Sequence, residues 1–146
     1  MLPVLADSNI LLRIAQPSHV EHLVALGALD ELLQRNFDLC VVTQNLVEFW
    51  AVATRPVDSR GLGMSPAKAR DEMLKLRNIF YLLDGAVGVA DAWAKLVSHR
   101  LVSGKQAHDA HLAAAMGVYG VRQVLTFNGD DFKRYPGIRT INPASI

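Results

Sequence analysis

Four carboxylates stand in this sequence where acid chemistry can be organised. Asp7 ends the apolar run Leu2–Ala6 and is followed by Ser8 and Asn9. Glu48 lies in Thr43-Gln44-Asn45-Leu46-Val47-Glu48-Phe49, and Asp109 in His108-Asp109-Ala110-His111. Asp131 lies in Thr126-Phe127-Asn128-Gly129-Asp130-Asp131-Phe132. Carboxylates brought together repel each other, and their pKa values rise unless a positive charge joins them. Hard divalent cations with oxygen ligands, Mg2+ foremost, are the usual partner. A metal held by acids points to phosphoryl or phosphodiester chemistry. Each acid alone also has an ordinary structural use. Asp7, Asp130 or Asp131 can cap a helical turn, and Asp109 can serve its helix as an N-terminal charge worth up to about 1 kcal/mol. Glu48 can be a solvated helix residue, although apolar Leu46, Val47, Phe49, Trp50 and Val52 surround it. The pattern of all the acids together carries the functional reading.

Other chemistries find less support. Cys40 is the only cysteine, so no intrachain disulfide forms. Its neighbours Leu39, Val41 and Val42 predict a buried, inert strand thiol. No zinc-ligand spacing and no covalent nucleophile are evident. His108 and His111 flank Asp109 at i and i+3, and His19 and His22 share that spacing. All four are read as surface helix histidines, with a His-assisted variant of the chemistry left open. Trp50 and Trp93 fit core or dimer-interface packing better than base stacking.

The chain has 146 residues, 51% of them hydrophobic and 20% charged, with a formal net charge of +1. This suits one globular domain, residues 1–146, with a core large enough to need no staple. A nucleic-acid partner needs a local basic patch on a chain of so little net charge. Arg13, Arg55, Lys105, Lys133 and Arg134 fall in or near the segments that carry the acids, where they can hold phosphates. No apolar run approaches the roughly 20 residues of a membrane span. The N-terminus lacks the pattern of a signal peptide, so a cytoplasmic location is expected.

The elements follow from periodicity and punctuation. Apolar runs predict strands over Leu2–Ala6, Phe37–Val42, Ile79–Leu83 and Arg122–Thr126, with a short fifth over Ile138–Ile141. Helical spacing predicts helices from Asn9 to about Ala15, capped by Ser8, and from His19 to Asn36, capped by Ser18. A helix capped by Thr43 runs to Thr54, and another from Ala67 to Asn78 follows Ser65-Pro66. Val57–Met64 reads as an exposed loop. Helices are also expected from Val87 or Gly88 to His99 and from Gln106 to Tyr119, the last ended by Gly120. This alternation predicts an α/β fold with a mostly parallel sheet of four to five strands and helices on both faces. Ligands of such sheets bind beyond the carboxyl ends of the strands, at the switch point of strand order. Asp7 directly follows the first strand, Asp130 and Asp131 follow the fourth, and Asp109 and Glu48 sit in early helix turns. All can reach the same end of the sheet.

Taken together, the four segments resemble a PIN domain, and specifically a VapC-type toxin of a bacterial toxin–antitoxin pair. Asp7-Ser8-Asn9 is similar to the family's opening Asp-(Ser/Thr)-Asn. The segment from Thr43 to Phe49, with Ala53-Thr54-Arg55-Pro56, resembles its second motif. Asp109-Ala110-His111-Leu112-Ala113-Ala114 resembles its Asp-Ala-x-x-Ala-Ala helix, and the run from Thr126 to Phe132 its closing Thr-x-Asn-x-x-Asp-Phe. The resemblance implies a three-layer α/β/α fold and a Mg2+- or Mn2+-dependent endoribonuclease. It implies Asp7, Glu48, Asp109 and Asp131 as the metal and catalytic acids, with Asn9, Thr126 and Asn128 in support. Of the adjacent Asp130 and Asp131, the residue just before Phe132 matches the motif. It further implies an RNA substrate, a cognate antitoxin protein and a homodimer.

Two other acid-rich α/β families fit poorly. A haloacid-dehalogenase-like phosphatase wants a second Asp where Asn9 stands. A receiver domain wants paired acids at the first strand, and Asp84 after the third matches it only loosely. A non-catalytic reading also stands: a PIN-like module whose acidic groove receives a basic segment of a partner.

Overall fold

A computed structural model describes residues 2–146. The chain alternates strands and helices as its periodicity predicts. Strand β1 (Leu2–Ala6) leads to helices α1 (Ser8–Ile14) and α2 (His22–Gln34). Strand β2 (Phe37–Val42) leads to α3 (Thr43–Thr54) and α4 (Pro66–Ile79). Strand β3 (Tyr81–Leu83) leads to α5 (Val89–His99) and α6 (Gln106–Tyr119). Strands β4 (Gln123–Leu125) and β5 (Arg139–Ile141) complete the sheet, with a 3-10 turn at Gly129–Phe132 between them and another at Pro143–Ser145 after β5.

All strand pairs are parallel, in the order β3-β2-β1-β4-β5. Successive side chains of a strand point to opposite faces, and the burial obeys this. Val4, Ala6, Leu39 and Val41 face a core completed by Ile10, Leu11, Leu29, Leu32, Phe49 and Leu76, which come from α1 to α4. Leu5, Cys40, Val42 and Val124 face a second core with Ala110, Leu112 and Met116 of α6, and with Phe132. Trp93 of α5 packs against that second core, and Trp50 of α3 against the first. The result is the expected three-layer α/β/α sandwich. Cys40 is buried, its Sγ donates to the Val4 carbonyl at 3.4 Å, and burial raises its thiol to about 11. That is an inert core thiol.

The strand order reverses at β1, which lies between β2 and β4. The crevice of such a sheet opens at that reversal, beyond the strand ends. Here it opens between Asp7 at the end of β1 and Thr126 at the end of β4. Asp7 N–H donates to the Leu125 carbonyl at 3.0 Å, so the two strand ends stay in register past the ladder.

Several local expectations differ from the structure. Asp7, not Ser8, caps α1: its carboxylate accepts from Ser8 N–H at 2.8 Å. Helix α2 starts at His22 because residues 16–22 make successive three-residue turns, His19 N–H to Gln16 and His22 N–H to His19. Ser18 therefore caps nothing. Thr43 is the first helical residue of α3, and Asn45 Oδ1 accepts from Val42 N–H at 2.9 Å. The segment Val57–Met64 is tied to the end of α3: Leu62, Gly63 and Met64 donate to the carbonyls of Val52, Arg55 and Ala53. Those are the carbonyls a helix C-terminus leaves without partners.

Candidate active site

The crevice is built on Asp7. Its Oδ1 accepts from Ser8 N–H at 2.8 Å, and its Oδ2 accepts from Thr126 Oγ1 at 2.8 Å and from Asn9 Nδ2 at 3.4 Å. Thr126, only 1% exposed, is the hub of this network. Its hydroxyl donates to Asp7 and accepts from Asn9 Nδ2 at 3.1 Å and from Asn128 N–H at 3.0 Å. Asn9 Oδ1 in turn accepts from Phe127 N–H at 3.2 Å. Of the three residues expected in support, Asn9 and Thr126 touch Asp7, while Asn128 reaches only Thr126, through its backbone N–H.

The other acids approach from three further elements. Glu48, in the second turn of α3, accepts from Ser8 Oγ at 2.8 Å. Asp109 sits in the first turn of α6, near the positive end of that helix. Asp131 follows β4 in the 3-10 turn. Burial is the first cause that raises the Asp7 carboxyl above its usual range, and the Thr126 and Ser8 hydrogen bonds oppose it. The charges of Glu48 and Asp131 push it further upward. Asp109 is pushed up to about 6, first by burial, then by the charges of Asp131, Asp7 and Glu48, against a smaller lowering by His108. Asp131 therefore shares the field of the crevice. Asp130 instead pairs with Lys133 at 2.9 Å on the open surface, its side chain 86% exposed.

No ion pair among the described residues involves Asp7, Glu48, Asp109 or Asp131. Their mutual repulsion is left for something else to neutralise. Among the described residues, no group of three or more His, Cys, Asp or Glu side chains is placed to hold a metal ion. An open set of oxygen donors suits a cation that keeps several of its waters, as Mg2+ does. By donor type alone, the carboxylates of Asp7, Glu48, Asp109 and Asp131 suit a divalent cation.

The basic residues divide. Lys105 stands at the start of α6 and Arg134 just after the 3-10 turn; both are exposed. Lys133 is held by Asp130. Arg13 is tied within its own face, Nε to Glu21 at 3.0 Å and Nη1 to Gln16 at 3.0 Å. Arg55 ends α3, about two helical turns beyond Glu48 and away from the crevice.

Sequence reasoning missed two residues. Ser8 was assigned only a helix cap, yet its hydroxyl reaches Glu48. Gln44 bridges to α6, with Nε2 donating to the His108 carbonyl and Oε1 accepting from His111. The signals were present but faint: Ser8 adjoins Asp7, and Gln44 lies one turn before Glu48 on the same helix face. His111, expected on the surface, is partly buried, as are His19 and His22, and His19 lies in the turns before α2 rather than in a helix.

Residues 4–138 match the family model described as PIN domain. The chain belongs to the PIN domain family. No curated protein matches this PIN domain in sequence. Solved structures share its fold at low identity. VapBC2 from Rickettsia felis, bound to a DNA fragment from its promoter, is 14% identical with a TM-score of 0.72, covering 97% of this chain and 98% of that one. A toxin–antitoxin complex from Klebsiella pneumoniae is 16% identical with a TM-score of 0.59, covering 96% and 97%. Mycobacterium tuberculosis VapC20, a sarcin–ricin loop cleaving toxin, is 17% identical with a TM-score of 0.61, covering 88% and 92%.

Proposed function

We propose that this PIN domain is a divalent-metal-dependent endoribonuclease, the VapC-type toxin of a toxin–antitoxin pair. The observation that carries the reading is the unneutralised acid cluster, in which the charges of Asp131, Asp7 and Glu48 all act on Asp109. The similar folds of a toxin–antitoxin complex and of a toxin that cleaves an RNA loop support the biological setting.

In this reading Asp7, Glu48, Asp109 and Asp131 hold Mg2+ or Mn2+. A cation bound there supplies Lewis-acid stabilisation of phosphoryl charge and makes water a competent nucleophile near neutral pH. The chain's own residues do the rest. Thr126, Asn9 and Ser8 N–H hold the Asp7 carboxylate in one orientation. Ser8 Oγ orients Glu48. Glu48 or Asp109 orients the attacking water. Lys105 and Arg134 hold flanking RNA phosphates, where contacts position the strand without reading its sequence. The protein acts in the cytoplasm as a homodimer, restrained by its cognate antitoxin. Among the described residues, no helix is long and apolar enough to cross a membrane.

Cleavage of a labelled total-RNA pool tests the proposal, comparing wild type with Asp7→Asn in Mg2+, Mn2+ or EDTA. Discrete cuts that vanish both in the variant and in EDTA support it. Folded wild type that cuts nothing with either metal favours the binding module with an acidic groove.

A further inference from the structure

The two backbone carbonyls that precede Asp109 are each held by a side chain from another helix. Gln44 Nε2 of α3 donates to the His108 carbonyl at 2.8 Å. Trp93 Nε1 of α5 donates to the Ala107 carbonyl at 3.0 Å. The loop closes through His111, whose Nδ1 bonds Gln44 Oε1 and whose ring meets Trp93 edge-on, centroids 6.3 Å apart at 64°. These bonds have a fixed polarity. A carbonyl only accepts, so the Gln44 amide nitrogen must face His108. Its oxygen then faces His111, and Nδ1 must carry the proton. That proton is present in both the neutral Nδ1–H tautomer and the imidazolium, so the bond does not depend on the charge of the ring.

We propose that Gln44 and His111 are positioning residues, whose amide–imidazole bond locks the start of α6 to the start of α3 and so sets Asp109 against Glu48. Gln44 is one turn before Glu48 on α3, and His111 is two residues after Asp109 on α6. A shift between the helices moves one acid relative to the other. The proposal rests on the reading of the acids as a cation site. Misplacement of reacting groups by about 1 Å can cost on the order of a hundredfold in rate. Partners that orient metal ligands typically carry about ten- to a hundredfold in metal affinity.

The test uses the purified full chain with Mn2+ alone as the probe, its binding followed by the paramagnetic resonance of free Mn2+. Nitrogen-15 imidazole spectra, taken where His111 is neutral, report the tautomer. Wild type is expected to bind Mn2+ and to show His111 as the Nδ1–H form. Gln44→Ala should lose that tautomer preference and weaken Mn2+ binding about ten- to a hundredfold. His111→Leu should weaken binding similarly. His111→Asn, whose amide N–H takes the place of Nδ1–H, should return affinity close to wild type. Should Gln44→Ala fail to fold, the His111 pair decides. Binding that survives Gln44→Ala but not Asp7→Asn overturns this proposal alone, as does His111→Asn behaving like His111→Leu. Wild type that binds no Mn2+ overturns the metal reading and this one with it.

Discussion

Ser8 Oγ donates to Glu48 Oε1 at 2.8 Å, while Ser8 N–H donates to Asp7 Oδ1 at the same distance. One residue thus touches two of the acids, one through its side chain and the other through its backbone. It also joins the first turn of α1 to the second turn of α3, elements that pack against the same core. One serine therefore ties Glu48 to the start of α1, beside Asp7.

Ser8→Ala keeps the backbone bond to Asp7 and removes only the donor to Glu48. Stability should fall by about 1.5–3 kcal/mol, the net worth of a hydrogen bond to a charged group. RNA cleavage should fall by roughly tenfold or more, as for other losses of a ligand's orienting partner. Denaturant melts and cleavage rates measured together check this. Unchanged cleavage would mean that Glu48 needs no anchor.

Thr126→Val is nearly isosteric but removes the hydroxyl that donates to Asp7 and accepts from Asn9 and from Asn128 N–H. These groups lose a shared partner at a position with almost no access to water. The expected cost is about 2–3 kcal/mol, with Thr126→Ser recovering most of it. Chemical denaturation of the three proteins side by side decides. If Val is tolerated as well as Ser, the hydroxyl is not the hub.

The sheet was legible because buried parallel strands write themselves as short apolar runs; β1 and β2 have the bounds those runs predict. Helix α6 was legible to the residue because Gly120 closes it in a left-handed conformation, φ 73°. Ile79 was expected in β3 but ends α4, since an apolar residue between two elements suits either. The start of α2 was hidden because Val20 fits a helical stripe although it is exposed in a turn. The acids could be placed at one end of the sheet from topology alone. Their network could not, because Ser8 and Glu48 are 40 residues apart and Asn9 and Thr126 are 117 apart. The first contact exists only once α1 has packed against α3, and the second only once β4 has docked beside β1. Arg13 shows the converse: near the site in sequence, it is committed to Glu21 in space.

Asp130 and Asp131 should separate cleanly in function. Both are exposed, but Asp131 acts on Asp7 and Asp109, whereas Asp130 pairs with Lys133. Asp131→Asn should cut the cleavage rate by about tenfold or more, as expected for a group at the metal. Asp130→Asn should leave it nearly unchanged, since exposed ion pairs contribute little. Equal losses in the two variants would place Asp130 in the site as well.

Asp109 gives the metal-free protein a pH dependence of known sign. Its pKa rises from an ordinary 3.8 to about 6 on folding, so the folded state binds its proton more tightly than the unfolded chain does. Where the folded state binds more protons, stability falls as pH rises. In EDTA, Tm should therefore decline from about pH 4 to about pH 6, the window of this group, and Asp7 adds the same sign. Asp109→Asn should flatten that decline. A cation competes with the proton for the same oxygens, so its binding must weaken in acid. Mn2+ at a hundred times its Kd should stabilise the protein by about 2.7 kcal/mol. That gain should appear near neutral pH and shrink well below pH 6. Melting curves with EDTA and with Mn2+, at both ends of the window, measure the two effects separately. A metal-free Tm that does not move across the window removes the proton from the argument. A Mn2+ shift of equal size at both ends removes Asp109 from the site.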